Sequence, residues 1–431
     1  MFLTNDFQVV VLVGGLGTRL GTGSAGLPKS MADVHGKPFF FHQLELMKWH
    51  GCRDFVLLVG FQEEAVWGYF KDGKDFGVTI RYSSDKDRPL GTAGALKNAA
   101  PLLNDDFLLV YGDSYMDTDY SELIYQYRLA RASGKKMLLA VYRNRDAYDK
   151  SNVIFKEGRL LTYNKGKPDR GMDYIDYGIS VMSKELLGDI PPGASDLSDL
   201  YQSLVENNEA SGYEVRNRFY EIGTSSSLAE FRDFISRRSS IKSKAVFLDR
   251  DGTINETVYN QRTKEEDSPL SPDEVRLIPG VTDALKTLSS SGYLLIVITN
   301  QPAAAKDKAT LADLYAVNNR VRDLLAKSGV ALDDLLMCPH HPAGAPTCKE
   351  RYLIRECECR KPRAGLFLKA IEKFNIDTER SYAVGDRRVD IDAGNAAGVR
   401  GALLGSDYKD LYEFSQSARS ASREYPGGRT R

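Results

Sequence analysis

Two short apolar runs, each followed at once by residues suited to phosphate chemistry, most strongly constrain what this chain can fold into. One run leads into Gly14-Gly15-Leu16-Gly17-Thr18-Arg19, and the other leads into Asp249-Arg250-Asp251-Gly252-Thr253. A strand that ends in such a loop is typical of α/β proteins, whose ligands bind outside the carboxyl ends of parallel strands. The sequence therefore predicts two α/β domains in tandem, each a Rossmann-like three-layer fold with its own ligand site.

The periodicity of the rest of the chain supports this organisation. In the first half, predicted strands lie at residues 8–13, 55–59, 79–82, 107–111 and 136–142, alternating with helical patterns. After a polar linker, the pattern restarts with strands at residues 245–248, 294–298 and 381–384. We predict a first domain over residues 1–240 and a second over 241–410. Residues 411–431, which end in a segment rich in Ser, Arg and Gly, are expected to form a mobile tail.

Composition argues against two classes of partner. The chain has 431 residues, of which 42% are hydrophobic and 27% charged, and its formal net charge is −1. Binding to the nucleic-acid backbone needs an excess of positive charge, so nucleic acid is not expected as a partner. The apolar run at residues 9–13 is too short for a signal peptide or a membrane span. We therefore expect a cytoplasmic protein with small-molecule substrates and no membrane partner.

The glycine loop near the amino terminus fits a nucleoside triphosphate. Gly14, Gly15 and Gly17 permit a tight turn that brings backbone N–H groups against phosphate oxygens. Arg19 and Lys29 would add fixed positive charge. The simpler interpretation is a glycine-rich turn with surface cations, which a lone glycine loop would favour.

Two further features of the first half favour phosphate binding. Gly91-Thr92 lies in a second loop that permits close approach, and Asp113 follows the predicted strand at residues 107–111. Asp113 could cap the next element, but beside a triphosphate loop it is placed to hold Mg²⁺. With these motifs, residues 8 to about 235 resemble the sugar-1-phosphate nucleotidylyltransferases. In that family the sugar phosphate oxygen attacks the α-phosphorus of a nucleoside triphosphate, and pyrophosphate leaves.

This resemblance implies a role for each matching residue. It assigns the nucleotide to Gly14, Gly15, Gly17, Thr18, Gly91 and Thr92, catalysis at the phosphates to Arg19 and Lys29, Mg²⁺ to Asp113 and Glu221, and the sugar phosphate to Lys165 and Asp176. Two positions depart from the family pattern. Glu221 stands where the family has aspartate, and Asn164 stands where Lys165 normally has an acidic neighbour. Asp176 could equally be a carboxylate that closes a turn.

The second motif set centres on a pair of carboxylates. Asp249 and Asp251 follow the predicted strand at residues 245–248 with the spacing of a nucleophile and a proton shuttle. Like charge opposes attack of a carboxylate on a phosphate ester, so such a site needs Mg²⁺ and a nearby lysine. An isolated Asp-x-Asp is more often structural. Here the later chain adds Thr299-Asn300, Arg360-Lys361 and residues 385–390.

These pieces, in this order, resemble the haloacid-dehalogenase superfamily of phosphatases over residues 244–405. The resemblance implies that Asp249 forms an aspartyl-phosphate and that Asp251 acts as general acid and then as base. It assigns the substrate to Thr299, Asn300, Arg360 and Lys361, and Mg²⁺ to Asp249, Asp251 and Asp386, with support from Asp390. Within the superfamily the likeness is to D-glycero-D-manno-heptose 1,7-bisphosphate 7-phosphatases, and histidinol-phosphate phosphatases are the alternative. The stretch at residues 302–306 replaces a loop that contains Gly and Arg in the heptose family.

Four of the five cysteines cluster within residues 338–359. Cys338, His340, Cys357 and Cys359 form a Cys₃His set typical of a tetrahedral structural zinc site, which leaves no open position for catalysis. The resemblance selects His340 in preference to His341 and gives the remaining cysteine of the cluster no role. The expected cofactors are thus Mg²⁺ at both sites and structural Zn²⁺ in the second domain.

The two resemblances together imply consecutive reactions. Removal of the 7-phosphate from heptose 1,7-bisphosphate leaves heptose 1-phosphate, which a nucleotidylyltransferase accepts. The implied product is GDP-D-glycero-α-D-manno-heptose, made from GTP, with CTP or ATP and other sugar phosphates as alternatives. A different alternative makes the first domain a non-catalytic sensor of sugar nucleotides that regulates the phosphatase.

Overall fold

The computed structural model describes residues 3–15, 26–85, 87–167, 171–240, 242–261 and 264–424. The chain divides into two compact units, residues 1–236 and 237–431, and each has its own main sheet. No helix within the described ranges combines the length and the apolar character that a membrane span requires.

Strands and helices alternate along the first unit. Its strands are β1 (Gln8–Leu12), β2 (Asp33–Val34), β3 (Lys37–Pro38), β4 (Asp54–Val59), β5 (Thr79–Ser84), β6 (Asp106–Tyr111), β7 (Ser114–Met116), β8 (Met137–Arg143), β9 (Val153–Lys156), β10 (Arg159–Tyr163), β11 (Tyr174–Ser183), β12 (Ala210–Val215) and β13 (Phe219–Glu221). Its helices are α1 (Phe39–Trp49), α2 (Glu63–Phe70), α3 (Gly91–Asn98), α4 (Tyr120–Ala132), α5 (Leu197–Glu206) and α6 (Ser225–Ser240).

The main sheet of the first unit joins a parallel part to an antiparallel part. Its order is β10-β9-β11-β6-β1-β4-β5, and β8 pairs with both β11 and β12. Strand β1 runs parallel to β4 and β6, and β5 runs parallel to β4. Strand β11 is antiparallel to β6 and β8. The predicted α/β class is confirmed, and the antiparallel strand β11 is an addition that the sequence patterns did not indicate.

Burial on both faces explains the continuous apolar runs of the parallel strands. In β1 and β4, the side chains of Val9, Val10, Phe55 and Val56 are fully buried, as expected for strands with packed faces on both sides. The carboxyl ends of β6, β1, β4 and β5 lie side by side in that order at one edge of the sheet. The loops that follow these strands therefore share one edge.

The second unit is built on a parallel sheet. Its strands are β14 (Ala245–Leu248), β15 (Val258–Asn260), β16 (Glu265–Asp267), β17 (Leu294–Asn300), β18 (Asp334–Cys338), β19 (Tyr382–Gly385) and β20 (Arg400–Leu403). Its helices are α7 (Val281–Ser290), α8 (Leu311–Lys327), α9 (Gly365–Phe374), α10 (Arg388–Ala396) and α11 (Leu411–Glu424). The sheet order is β18-β17-β14-β19-β20 with every pairing parallel, and β15 and β16 form a separate antiparallel pair.

The carboxyl-terminal segment differs from its prediction. The expected mobile tail forms helix α11 up to Glu424, and residues 425–431 lie outside the described residues. Leu411, Phe414 and Ala418 are buried in the same core as residues of α7. An apolar stripe this narrow is enough to dock a helix. The sequence did not indicate this helix, because polar residues occupy most of its other positions.

Candidate active sites

A cleft of about 500 Å³ opens at the strand ends of the first unit. It is lined by residues that the sequence assigned to nucleotide, phosphates or metal, namely Gly14, Gly15, Lys29, Gly91, Thr92 and Asp113. Segments far apart in sequence thus converge on one concave site, as a nucleotide pocket requires. Gly17, Thr18 and Arg19 lie outside the described residues, so their contacts with phosphate stay predictions.

Close backbone approach explains the glycine of the second loop. Gly91 has a φ of +69°, and a Cβ atom there would lie 2.4 Å from the carbonyl oxygen of Ser195. The adjacent Thr92 Oγ1 accepts a hydrogen bond of 2.8 Å from the N–H of Leu197, the first residue of α5. Besides lining the cleft, the Gly91-Thr92 pair therefore anchors α5, a role that the resemblance did not assign.

Lys29 and Asp113 form an ion pair in the cleft. Lys29 Nζ lies 3.0 Å from Asp113 Oδ2, and the two side chains are 22% and 27% exposed. The loop that carries Asp113 is held from α1, because Gln43 Nε2 donates to the carbonyl oxygens of Tyr111 and Ser114 at 2.8 Å each. Gln43 is fully buried. The sequence analysis did not assign Gln43 to the site, although a polar amide among the apolar residues of α1 indicates a buried hydrogen-bonding role.

Glu221 ends strand β13 next to Asp113. It is paired with Ser114 in the register of β13 and β7, and the Ile222 N–H donates to the Asp113 carbonyl oxygen at 3.0 Å. Burial raises the pKa of Glu221, the Asp113 carboxylate raises it further, and Lys29 opposes both effects. A divalent cation would relieve this repulsion, so the two carboxylates fit the expected Mg²⁺.

Lys165 and Asp176 lie close to the same cleft. Lys165 Nζ is 5.5 Å from the centre of the Tyr111 ring, and Tyr111 lines the cleft. Asp176 accepts hydrogen bonds from the Gly178 N–H at 2.9 Å and the Tyr163 hydroxyl at 3.2 Å. Burial raises the pKa of Asp176, and the Lys165 charge opposes that shift. The bond to Gly178 is that of a turn carboxylate, so this alternative for Asp176 has direct support.

Three carboxylates of the second unit gather around a buried lysine. Asp249 follows β14, Asp386 follows β19 and Asp390 lies in α10, and one oxygen from each lies within 4.8 Å of the others. Lys361 Nζ contacts one oxygen of Asp249 and one of Asp390, both at 2.6 Å, and donates to the Ile298 carbonyl oxygen at 2.7 Å. Lys361 is 4% exposed, so water screens its charge weakly at the Asp249 carboxylate.

This carboxylate group fits Mg²⁺. Asp386 Oδ1 is buried, and no described residue offers it a hydrogen bond. Burial raises the pKa of Asp249 despite the opposing charge of Lys361. Burial and the Asp249 carboxylate raise the pKa of Asp386. A cation that prefers oxygen ligands would supply the missing partner of Asp386 and lower both pKa values.

The carboxylate group differs from the expected metal set. Asp251 was expected beside Asp249 and Asp386, but Asp390 takes its place in the group. The two oxygens of Asp251 instead accept hydrogen bonds of 2.6 to 2.9 Å from Arg250, Asn255 and Gln301. Burial alone would raise the pKa of Asp251, but the charge and hydrogen bonds of Arg250 lower it, with help from the two amides.

Arg250 and Gln301 are two site residues of the second unit that the sequence analysis left without a role. Arg250 is fully buried, and its Nη1 also donates to Asn318 Oδ1 at 2.6 Å. Gln301 Nε2 donates to Thr299 Oγ1 at 2.8 Å as well as to Asp251. Both residues are next in sequence to residues assigned to the site, Arg250 to Asp249 and Gln301 to Asn300. This adjacency could have predicted that they belong to the site.

Asn300 and Arg360 have structural partners of their own. Asn300 bonds both backbone groups of Lys361, donating to its carbonyl oxygen and accepting from its N–H at 3.1 Å each. Arg360 Nη1 donates to the His340 carbonyl oxygen at 3.3 Å. Asn300 therefore positions Lys361, while a substrate contact for either residue stays a prediction.

Cys338, His340, Cys357 and Cys359 form the second group of metal-ligand atoms. Cys338 Sγ lies 3.6 Å from Cys357 Sγ and 3.7 Å from His340 Nδ1, and Cys359 Sγ lies 3.2 Å from both Cys338 Sγ and His340 Nδ1. Ligand atoms around a tetrahedral Zn²⁺ are roughly 3.5–3.8 Å apart, given bonds of about 2.0–2.3 Å. Two of the four distances lie in this range and the two that involve Cys359 are shorter, so the donor set has the chemistry and the close grouping of a zinc site.

The fold and the sites define a two-unit enzyme, with a cleft lined by two glycine loops and an ion pair in one unit and a carboxylate–lysine centre in the other. The nucleotidyl transferase family model matches residues 8–238, and the HAD-hydrolase-like model matches residues 358–420.

Known proteins resemble both parts. A D-glycero-beta-D-manno-heptose-1,7-bisphosphate 7-phosphatase of Haemophilus ducreyi is 38% identical over 163 residues, or 37% of this chain and 82% of the relative. One from Escherichia coli is 40% identical over 174 residues, or 40% of this chain and 85% of the relative. The solved structure of HddC from Yersinia pseudotuberculosis complexed with GMP-PN has a TM-score of 0.45 and 22% identity, covering 53% of this chain and 99% of that chain.

The chain belongs to the nucleotidyl transferase family and also to the family of these phosphatases. It is a bifunctional enzyme, a nucleotidyltransferase and a phosphomonoesterase.

Proposed function

We propose that this chain catalyses two consecutive steps of nucleotide-activated heptose synthesis. The second unit removes the 7-phosphate of D-glycero-D-manno-heptose 1,7-bisphosphate. The first unit transfers a nucleotidyl group to the resulting heptose 1-phosphate and releases pyrophosphate. The proposal rests on one observation, that a nucleotidyl transferase domain is joined in one chain to a relative of heptose bisphosphate phosphatases. The product of one reaction is then a substrate of the other.

Asp249 is the proposed nucleophile of the phosphatase. Its carboxylate oxygen attacks the 7-phosphorus to form an aspartyl-phosphate, and the sugar oxygen leaves as a hydroxyl with a proton from Asp251. Water then attacks the phosphorus, Asp251 takes its proton, and inorganic phosphate leaves. Lys361 offsets the negative charge that opposes attack, from 2.6 Å away. Mg²⁺ held by Asp249, Asp386 and Asp390 would add positive charge at the same place.

Asp251 has to change partners during this reaction. In the structure it is paired with Arg250, which favours its ionised form. The general acid needs a proton, so we propose that the Asp251 carboxylate exchanges Arg250 for the leaving oxygen when substrate is bound.

In the first unit, the 1-phosphate oxygen of the heptose attacks the α-phosphorus directly, without a covalent enzyme intermediate. Lys29 would turn from Asp113 to the phosphates, Asp113 and Glu221 would hold Mg²⁺, and Lys165 would contact the sugar phosphate. These groups act by positioning and by charge neutralisation.

Three further assignments complete the proposal. Structural Zn²⁺ in the Cys₃His set would fix the chain that leads to Arg360 and Lys361. The cytoplasm, which supplies nucleoside triphosphates, is the proposed location. GTP and the α-anomer are the proposed substrates, whereas the names of the phosphatase relatives specify the β-anomer, so the experiment includes both anomers.

The test is mass spectrometry of the products formed from each anomer of the bisphosphate with Mg²⁺ and four nucleoside triphosphates. We expect a single nucleotide-heptose. Release of phosphate without a sugar nucleotide would favour the sensor alternative, and no reaction of either anomer would refute the heptose assignment.

Two variants separate the sites. Asp249→Asn should stop phosphate release yet leave nucleotidyl transfer to supplied heptose 1-phosphate unchanged, because it removes only the nucleophile of the second unit. Asp113→Ala should do the reverse, since it removes a proposed Mg²⁺ ligand of the first unit. Loss of both activities in either variant would contradict separate sites.

A further inference from the structure

We infer that Asp85 selects guanine in the nucleotide cleft, by accepting hydrogen bonds from the N1–H and the 2-amino group of the base. This inference deepens the proposed function and rests on it, since a nucleoside triphosphate has to occupy the cleft. Asp85 follows β5 and lines the cleft together with the glycine loops. It was not among the residues assigned from the sequence.

Strand order places Asp85 away from the phosphates. Asp113 follows β6, Gly14 lies just beyond β1 and Asp85 follows β5, in a sheet whose order here is β6-β1-β4-β5. Neighbouring strands are about 4.8 Å apart, so the ends of β6 and β5 are separated by roughly 14 Å. A nucleotide whose phosphates lie at the Lys29–Asp113 pair, at the end of β6, extends its base past Gly14 toward β4 and β5. A carboxylate can be tolerated at the end of β5, because the separation of roughly 14 Å from the end of β6 exceeds the Debye length of about 10 Å at 0.1 M salt.

The cleft near Asp85 suits a flat ring. Phe61, which follows β4 and is 42% exposed, lines the cleft together with Val59 and the exposed Pro89. Aromatic and apolar surfaces stack on the faces of all bases with little discrimination. Selection therefore requires a polar group at the edge of the base. The carboxylates among the described lining residues are those of Asp113 and Asp85, and Asp113 is paired with Lys29.

The Asp85 carboxylate is held in place with acceptor capacity left on both oxygens, since each carboxylate oxygen has two lone pairs. Its Oδ2 accepts a hydrogen bond of 2.8 Å from the Leu90 N–H, and its own N–H donates to the Val59 carbonyl oxygen at 3.1 Å. Gly60 makes room for the other oxygen, since a Cβ there would lie 2.6 Å from Oδ1. Within the described part of the chain, Oδ1 receives no hydrogen bond. An ionised carboxylate is purely an acceptor, so this oxygen favours ligands that donate.

Guanine is the common base whose edge matches such an acceptor. Its N1–H and 2-amino group are adjacent donors. Adenine and cytosine place an acceptor ring nitrogen beside the amino group, and the N–H of uracil lies between two carbonyl oxygens, which a carboxylate repels. A site that leaves a polar group unpaired with the wrong substrate discriminates against that substrate, and Asp85, which is half-buried, should discriminate less than the roughly 10⁴-fold of fully buried sites.

The test compares the parent with Asp85→Asn and with Asp87→Asn, which makes the same chemical change at an exposed position outside the cleft lining. Nucleotidyl transfer to heptose 1-phosphate is measured with GTP, ITP, XTP, ATP and CTP as separate donors. ITP lacks the 2-amino group, and XTP carries a carbonyl group in its place.

The parent and Asp87→Asn should prefer GTP over ITP by about 10-fold, the value of one hydrogen bond to a charged group. Asp85→Asn should lower kcat/KM for GTP by about 100-fold and should prefer XTP. The asparagine amide donates to the 2-carbonyl group of xanthine, while its oxygen still accepts from N1–H.

An unchanged GTP preference in Asp85→Asn, or a parent preference for ATP or CTP, would overturn the inference and leave the heptose reaction intact. If no nucleotide reacts with heptose 1-phosphate, the proposed function fails instead. Calorimetric titration of GTP, ITP and XTP into the same proteins then decides the base preference without sugar. Both tryptophans, Trp49 and Trp67, lie in the first unit, so thermal transitions of their fluorescence show whether that unit of each variant is folded.

Discussion

Replacement of Lys361 by methionine tests whether charge balance holds the phosphatase centre together. Lys361 Nζ contacts Asp249 and Asp390 at 2.6 Å each and is almost wholly buried. Methionine keeps much of the volume but leaves clustered carboxylates without a cation. Removing one partner of a buried ion pair costs about 3–5 kcal/mol. Because 1 kcal/mol shifts Tm by about 2–4 °C for units of this size, we expect the second unit to melt roughly 6–20 °C lower.

Two treatments should restore part of this stability in Lys361→Met. Mg²⁺ should stabilise the variant, because it binds the freed carboxylates in the folded state. Lowering the pH from 8 toward 5 should also stabilise it. Burial raises the folded-state pKa of Asp249 above its unfolded value, and loss of Lys361 raises it further. A raised carboxyl pKa gives stability that is present at low pH and lost as the pH rises through the folded-state pKa.

The matched control is Lys373→Met. Lys373 Nζ lies 2.9 Å from Asp334 Oδ2, and the two side chains are 6% and 10% exposed. This pair is in the same unit but outside the clustered carboxylates. In differential scanning calorimetry, Mg²⁺ should raise the Tm of Lys361→Met by more than that of Lys373→Met, because in Lys373→Met the carboxylate site is intact but already balanced by Lys361. A Lys361→Met variant as stable as its parent without Mg²⁺, or equal rescue of both variants, would refute the reasoning.

Two further substitutions test the zinc cluster and the support of Asp113. Cys357→Ser should lose bound zinc, as measured by plasma mass spectrometry. Cys348→Ser should retain zinc, because Cys348 Sγ donates to the Ala304 carbonyl oxygen and lies outside the Cys₃His set. Equal zinc content in the two variants would argue against the cluster. Gln43→Leu should raise the Mg²⁺ concentration needed for half-maximal nucleotidyl transfer, since the Asp113 loop loses two hydrogen bonds. The control is Gln8→Leu, which removes a buried amide at the opposite end of β1. It should lower the free energy of unfolding by about 1–3 kcal/mol without changing the Mg²⁺ requirement. If both variants need more Mg²⁺, Gln43 has no specific role.

The fold class could be predicted because its signals are local. β1 and β14 are continuous apolar runs that end at glycine or aspartate loops, and parallel strands buried on both faces produce such runs. Strands β18 and β20 were not predicted, because β18 consists largely of Leu and Met, which are good helix formers, and β20 contains Arg400 and Gly401. β18 begins at Asp334 and ends at the zinc-type ligand Cys338, and β20 begins at Arg400. Their strand character comes from pairing with neighbours in the sheet, which sequence periodicity does not record.

The composition of the sites could be predicted more fully than the direction of their side chains. The spacing of Asp249 and Asp251 predicts two carboxylates at one strand end, and both are there. Their separation into a lysine-bound and an arginine-bound group depends on Gln301 and Asp390, which arrive from other elements. Asp85 could not be predicted as a site residue, because a single aspartate after a strand belongs to no recognisable motif.

The lysine of the first site is free to change partners, whereas the lysine of the second site is fixed, and the chemistry of each site explains the difference. The Lys29–Asp113 pair is partly exposed, and exposed pairs contribute only about 0–1 kcal/mol, so a triphosphate can claim Lys29 at little cost. Lys361 is buried between two carboxylates and clamped through its backbone by Asn300, so no ligand displaces it cheaply. A nucleotide site has to rearrange around a large, highly charged ligand. A nucleophilic carboxylate needs its cation in place before the phosphate ester arrives, since preorganised charge requires no rearrangement during attack.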